Sequence, residues 1–368
     1  MAASTLVVAF SSLGRDQAGL GYEFERLAER DDCSVLLLRD VATSWYHAVP
    51  GVEGGVEGLA RFLAGRTEGY ERTVFLGYSM GGYAALLYGR LLAADAILAF
   101  APQTLLAAEP LADLGDRRWP EQLSRVQAAR PVSPYLDLAP LYAAPELAAP
   151  GQAMIYTAAD GEDAVLDLAH AHRLAPHARV VQIGEAPLAH AAPLAALRAS
   201  DLLRQVFDGA IGGDPPSPAE IADRYVAWAS ARRHALALDA AGPTLSADGR
   251  LRLAGTVTNV SPVPIRLAEG VRVGARLWRN GETGPHVDEH RFIFSDTAMA
   301  PGAVGRFAFD LALSGLASGR YDLSVALVHE GRGWFDDLGF PSAMLTFDAH
   351  PFALTEVRTF TGLRASRG

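Results

Sequence analysis

The chain has 368 residues, 50% of them hydrophobic, and a formal net charge of −10 at pH 7. That length exceeds one typical domain and predicts two, each with enough apolar residues for its own core. The acidic balance, with no basic block, argues against a nucleic-acid partner. Cys33 is the one cysteine, which excludes an intrachain disulfide and a thiolate metal cluster. Its place at the head of an apolar run marks it as a core residue.

The apolar run from Leu6 to Phe10 is too short for a secretory signal and lacks a basic segment before it. No stretch approaches the roughly 18 apolar residues of a membrane helix. The expectation is a cytoplasmic protein with no membrane span; the oligomeric state is left open.

Taken in order, Thr5-Leu-Val-Val-Ala-Phe10 reads as a strand buried on both faces, followed by the polar turn Ser11-Ser12-Leu13-Gly14-Arg15-Asp16. Tyr22 to Arg30 carries a helical pattern, Ser34 to Leu38 is a second buried run, and Val56 to Leu63 fits a helix. Arg72 to Leu76, Ala96 to Phe100, Ala153 to Tyr156 and Arg179 to Ile183 complete a set of apolar runs separated by helical segments. This alternation predicts βαβ units, hence a mostly parallel α/β sheet with helices on both faces. Reactive groups then gather at the carboxyl ends of the strands. Thr104 to Pro150, rich in Ala, Leu and Pro, breaks the rhythm. It is either a lid over the site or a surface helical excursion.

The stretch that carries chemistry is Val74-Phe-Leu-Gly-Tyr-Ser79-Met-Gly-Gly-Tyr-Ala-Ala-Leu86. It is a buried strand, a turn reading G-Y-S-M-G, and a helix start rich in small residues, which matches the G-x-S-x-G nucleophile elbow in its required context. Small residues two before and two after Ser79 let strand and helix pack closely. The hydroxyl then stands clear of the backbone, and the helix N-terminus faces a developing oxyanion. An ordinary βα turn with a solvated serine is the alternative.

A serine needs a base, and the base needs an orienting acid. His190 follows the last strand, in the loop Gly184-Glu-Ala-Pro-Leu-Ala-His190, and is the base candidate. His170, His172 and His177 are expected to face solvent. The acid belongs to the loop after the Ala153 strand, where Asp160, Asp163, Asp167 and Glu162 compete: Asp163 is favoured, Asp160, nearer the strand end, comes next, and Asp167 is third, its alternative being a charge in the first turn of a helix. The oxyanion donors expected are the N–H of Met80 and one from the loop after the first strand, for which Ser12 is chosen. Arg15 and Tyr78 are placed against the substrate. No metal or organic cofactor is called for.

Residues 1 to about 205 resemble the α/β-hydrolase fold in a short version without its leading antiparallel strands. The resemblance rests on the elbow, the Gly161-Glu162-Asp163 loop and the late histidine. It implies a triad of Ser79, His190 and Asp163, with Asp160 the alternate acid. The sequence departs from that family in having no H-G signature after the first strand, and Pro-Leu-Ala-His in place of Gly-His.

Gly209 to Ser217 is a Gly/Pro-rich break, and Ser217-Pro-Ala-Glu220 has capping-box spacing. The expected division is 1–208, a linker and connecting helix over 209–235, a second domain over 236–350 and a tail over 351–368. In the second domain the period changes to two. Leu251 to Asn259, Val271 to Trp278, Arg306 to Leu313 and Tyr321 to Val328 all alternate, as in an antiparallel β-sandwich.

Phrases such as Gly255-Thr-Val-Thr-Asn259, Pro301-Gly302, Gly319-Arg-Tyr321 and Val328-His-Glu-Gly331 with Trp334-Phe335 are similar to the carbohydrate-recognition domain attached to O-antigen exporter ATPases. That resemblance covers about 236 to 348. It implies sugar contacts from Trp278 and Trp334 with Arg291 and Glu330 at the rim; the alternative is that both tryptophans are core and the sandwich is structural. His286, Glu289 and His290 are close in sequence, but with no fourth ligand they read as a solvated loop.

The leading expectation is a serine esterase acting on an acylated small molecule or carbohydrate, such as a surface polysaccharide. The others are an acyltransferase to a sugar hydroxyl and a catalytically silent hydrolase-like scaffold that binds polysaccharide.

Overall fold

The computed structural model describes residues 3–13, 21–129, 133–159, 164–184, 192–239, 242–245, 250–280, 288–312, 316–350 and 353–362. The chain divides into two compact units. The first ends at Asp223 and the main body of the second starts at Arg224.

The first unit is built on Thr5–Phe10 (β1), Ser34–Leu38 (β2), Arg72–Tyr78 (β3), Ala96–Phe100 (β4), Ala153–Ala158 (β5) and Arg179–Ile183 (β6). They form one sheet in the order β2-β1-β3-β4-β5-β6 with every pairing parallel. β1, β4 and β5 are buried at every residue, while the edge strands β2 and β6 are partly open. Continuous apolar runs are what a parallel sheet covered on both faces requires. The covering helices are Gly55–Thr67 (α1), Met80–Leu91 (α2), Ala108–Leu114 (α3), Pro120–Ala129 (α4), Leu138–Ala143 (α5), Ala164–His172 (α6), Ala192–Ala199 (α7) and Leu202–Gly212 (α8).

The helix expected over Tyr22 to Arg30 is only a 3₁₀ turn, Glu25–Glu29. Phe24 enters it with φ 61°, and its ring packs on Phe100 and Phe207 at 6.1 and 6.0 Å. Tertiary packing has overridden the local periodicity. Cys33 is buried, and burial pushes its thiol pKa up.

α2 is buried from Met80 to Arg90, so it must lie very close to the sheet. Two glycines permit this. A Cβ on Gly77 would sit 2.1 Å from Gly81 O, and one on Gly81 would sit 2.2 Å from Phe10 O. The insertion from Thr104 to Pro150 supplies Leu105, Leu106, Leu111, Leu123, Val126, Leu136, Leu138 and Tyr142 to the same hydrophobic core as β1 and α2. Its helices α3, α4 and α5 are therefore packed into the domain.

Within the stretch 209–235 expected as linker and connecting helix, α8 runs on to Gly212, and the division between units falls inside Pro218–Ser230 (α9).

The second unit is antiparallel throughout. His234–Leu238 (β7), Thr244–Leu245 (β8) and Arg250–Asn259 (β9) belong to one sheet, closed by Val304–Ala312 (β12) in the order β12-β9-β7 with β8 also on β9. Val271–Arg279 (β10), Asp288–Phe292 (β11), Gly319–His329 (β13), Gly333–Trp334 (β14), Ser342–His350 (β15) and Ala353–Gly362 (β16) form the other, ordered β11-β10-β13-β15-β16 with β14 on β13. β9 and β12 bury alternate residues, as the period of two demands. Phe292 of one sheet meets Phe309 of the other edge-on at 6.5 Å. Asn259, fully buried, fastens the corner after β9: its amide donates to Val263 O and Met299 O, and its carbonyl accepts from Ser261 N–H and Oγ–H.

Trp278 and Trp334 are 6% and 9% exposed, so the expectation of open stacking platforms is corrected. The Trp334 ring lies on Gly274, where a Cβ would meet it at 2.4 Å. The Arg276 and Arg291 guanidiniums stand 4.2 and 4.5 Å from its centre, a cation–π arrangement that occupies the ring. Arg276 also covers Trp278 at 4.9 Å and pairs with Asp336 and Asp337, while Arg291 pairs with Glu330 and Glu289. Trp334→Ala is expected to destabilise this unit by about 3–5 kcal/mol, the usual cost of emptying a large aromatic site. Urea denaturation checks it, and a loss under about 1 kcal/mol would count against the core role.

Candidate active site

Loops part and open a crevice where neighbouring parallel strands send their chains in opposite directions. Here that point lies between β1 and β3, because β1 leads to β2 on one side and β3 to β4 on the other. Ser79 stands there, between the end of β3 and the first residue of α2. Its φ of 53° and ψ of −119° lie where L-residues are strained, at a cost of about 1–3 kcal/mol. The corner is held from both sides. Ser79 N–H donates to Phe100 O at 2.8 Å, and Ser79 O accepts from Tyr83 N–H at 3.0 Å. Met80 opens α2, so its N–H is among the first-turn amides with no helical acceptor, at the positive end of the helix dipole. Tyr78, next to the serine, is partly exposed.

Ser79 Oγ has a side-chain partner that no motif in the sequence announces. Gln103, three residues beyond β4 and 1% exposed, donates from Nε2 to Ser79 Oγ at 3.4 Å. Trp45 Nε1–H donates to Gln103 Oε1 at 3.1 Å. The one signal was position, since Gln103 follows a buried strand at its carboxyl end.

Ser12 lies two residues beyond Phe10, whose register partner is Gly77, itself two residues before Ser79. The position fits an oxyanion donor, but the amide is engaged. Ser12 N–H donates to Glu23 Oε2 at 2.6 Å and Ser12 Oγ–H to Oε1 at 2.7 Å. In this structure the Glu23 carboxylate holds that amide. Nothing in the sequence marked Glu23.

An all-parallel sheet in this order, with a strained serine between its third strand and the following helix, decides the fold. The first unit has the α/β-hydrolase fold.

No protein-family profile and no curated protein matches the chain. Solved structures resemble it in parts. The capsule O-acetyltransferase of Neisseria meningitidis serogroup A is 16% identical with a TM-score of 0.42, over 57% of this chain and 88% of that one. The S-formylglutathione hydrolase FrmB of Staphylococcus aureus is 13% identical with a TM-score of 0.36, over 49% and 76%. The C-terminal domain of Wzt is 14% identical with a TM-score of 0.18, over 35% and 64%. These likenesses are distant, and the strand order and elbow carry the fold by themselves.

In the first unit, β5 ends at Ala158 and β6 at Ile183, at the same edge of the sheet as Ser79. Asp160, Asp163, His190 and Arg15 lie outside the described residues, as does His286. Among the described residues no group of His, Cys, Asp or Glu is arranged to hold a metal ion, and no helix is long and apolar enough to cross a membrane.

His172 and His177 are exposed, but His170 is fully buried, against expectation. Thr104 N–H can only donate, so His170 Nδ1 accepts from it at 3.1 Å and the ring proton sits on Nε2, 3.1 Å from Asp116 Oδ2. With both nitrogens engaged, His170 has no free nitrogen to act as a base. Arg118 completes the cluster, bonding Asp116 through two nitrogens and Asp167 at 2.8 Å. Asp167 is likewise fully buried, so it is an internal ion-pair partner and not a solvated first-turn charge. The cluster ties the insertion to α6.

Burial pushes the Asp116 carboxyl up, but hydrogen bonds from His170 and Arg118 outweigh it and hold the carboxyl well below the usual range. A carboxyl depressed in the folded chain contributes stability above its unfolded value, about pH 4, and that contribution is lost as pH falls toward the lower folded value. Asp116→Asn is expected to lower the thermal midpoint at neutral pH, with the gap to the parent narrowing below about pH 4. A gap of constant size from neutral to acid pH would refute this.

Proposed function

We propose that the protein is a serine hydrolase that cleaves an acyl ester through an acyl-enzyme. Ser79 Oγ attacks the carbonyl carbon, and its proton passes to His190, oriented by Asp163 or, as the alternate, Asp160. The oxyanion meets the Met80 N–H at the start of α2, with the Ser12 N–H as the second donor once the Glu23 side chain withdraws. The leaving alcohol takes the proton from His190. Water, deprotonated by the same imidazole, then resolves the acyl-enzyme and returns Ser79. Tyr78 and Arg15 border the substrate in this reading, and no cofactor takes part. The observation that supports it is the strained backbone of Ser79 at the switch point of a parallel sheet. Strain of this kind is held where function requires it.

The substrate class we favour is an acylated carbohydrate. The support is the second unit, an antiparallel pair of sheets whose sequence phrases resemble a carbohydrate-recognition domain. The test treats the full chain with a fluorophosphonate probe and with p-nitrophenyl acetate, then repeats turnover with added oligosaccharide. Labelling with release of acetate is expected. An acyl group appearing on the oligosaccharide would make the protein an acyltransferase, and absence of labelling would overturn the reading.

A further inference from the structure

Gln103 is a buried primary amide, and burying such a group is costly unless its donors and acceptor are used. Here the two ends of the amide are distinguishable. The indole N–H of Trp45 can only donate, so the atom it reaches is Gln103 Oε1, and Nε2 is the end that faces Ser79 Oγ. Ser79 Oγ is thus an acceptor toward Gln103, which leaves its own hydrogen for another acceptor.

The arrangement is held on strained backbone at both ends. Trp45 has φ 51° and its neighbours Thr43 and Tyr46 have φ 51° and 62°, while Ala101, two residues before Gln103, has φ 44°. The loop after β2 is anchored by Asp40, which accepts from the N–H groups of Ala42, Ser44 and Tyr46. Strained residues on two loops that meet at the nucleophile's neighbour point to function. Flank matters too. Ser12 follows β1 on one side of β3, whereas Gln103 follows β4 on the other, the side of β5 and β6. Gln103 therefore reaches Ser79 Oγ from the flank opposite Ser12.

Resting on the serine-hydrolase reading, we infer that Gln103 is a catalytic residue that donates to Ser79 Oγ when the acyl-enzyme breaks down, with Trp45 as the positioning residue that aims its amide. In that step water has added to the acyl carbon. The C–Oγ bond breaks, its electron pair goes to Oγ, and the imidazolium returns a proton to that oxygen. Negative charge grows on Oγ, and a donor already in place stabilises it without reorganisation. The resting distance is long, as catalytic hydrogen bonds are before charge develops. In acyl-enzyme formation the free Ser79 hydroxyl already accepts from Gln103 before it attacks, whereas in the acyl-enzyme Oγ is a weakly accepting ester oxygen that gains charge only as its bond breaks, so Gln103 acts mainly on the second half of the reaction.

The test is stopped-flow turnover of p-nitrophenyl acetate by the full chain, which separates the acylation burst from the steady deacylation rate. Gln103→Leu is expected to keep the burst rate within about threefold of the parent and to slow deacylation by tenfold or more, a donor-sized effect on one step. Trp45→Phe keeps the ring and removes the indole N–H; it should shift the same ratio of rates in the same direction by less. A role in packing alone moves both rates together or neither, and an unchanged ratio in the two variants overturns the inference. If Gln103→Leu does not fold by circular dichroism, the ratio in Trp45→Phe decides. Fluorophosphonate labelling keeps the two claims apart. A parent that is not labelled sinks the hydrolase reading, whereas a labelled parent whose variants keep the parent ratio sinks Gln103 alone.

Discussion

Ser79→Ala is expected to lose fluorophosphonate labelling and at least a thousandfold in turnover of p-nitrophenyl acetate, the residue being the only atom source for the acyl-enzyme in the proposed reaction. The fold should survive, since the change removes one oxygen and leaves the corner's backbone bonds to Phe100 and Tyr83 in place. A companion variant separates catalysis from strain. Glycine accepts φ 53°, ψ −119° without the penalty that serine carries, about 1–3 kcal/mol, and gives back roughly 0.5–1 kcal/mol through its freer unfolded chain. Ser79→Gly should therefore be as inactive as the alanine variant and unfold at higher urea than the parent. Turnover by Ser79→Ala within tenfold of the parent would remove the serine from the chemistry, and a Ser79→Gly variant less stable than alanine would remove the strain argument.

A large effect on the stability of the first unit is expected at Arg90, a residue far from notice in the sequence. It is 3% exposed near the end of α2, and its guanidinium serves the carbonyls of Leu141, Tyr142, Ala144, Leu147 and Ala148. These include the C-terminal end of α5 and the chain that follows it, whose acceptors have no helical partner. Arg90→Met fills much of the space but leaves those carbonyls without a donor, each worth about 1–3 kcal/mol when buried. Relaxation and water will recover part, so a net loss of about 3–5 kcal/mol is expected. Arg90→Lys should recover little, because one ammonium cannot span acceptors that a planar fork reaches together. Urea denaturation of both variants measures this, and a loss under about 1 kcal/mol in Arg90→Met would show that the insertion holds itself.

The parallel sheet and the elbow were legible because their signals are local. Thr5 to Phe10 and Ala96 to Phe100 are unbroken apolar runs that end as buried strands, and the small residues around Ser79 announce close strand–helix packing before any coordinate is known. The period-two segments from Leu251 onward were legible for the same reason. Burial of one class of residue at fixed spacing is written in the chain itself.

What surrounds the serine was not legible in that way. Gln103 lies 24 positions from Ser79 and Trp45 lies 58 from Gln103, and no spacing rule links them. Glu23 on the Ser12 amide, His170 shut inside by Thr104 and Asp116, and Trp334 laid on Gly274 between two arginines share that character. Each depends on loops from separate strands arriving at one place, and on which polar group finds a partner there.

From the chain alone, then, came the parallel strands, the alternating segments of the second unit and the strand–turn–helix corner at Ser79. Hydrophobic periodicity and backbone sterics act between near neighbours and leave their mark in the order of residues. Only the folded molecule decided which amides are engaged, which histidine is buried and which aromatic rings are covered. Those outcomes follow from desolvation and hydrogen bonding among groups that meet only after the sheet has formed.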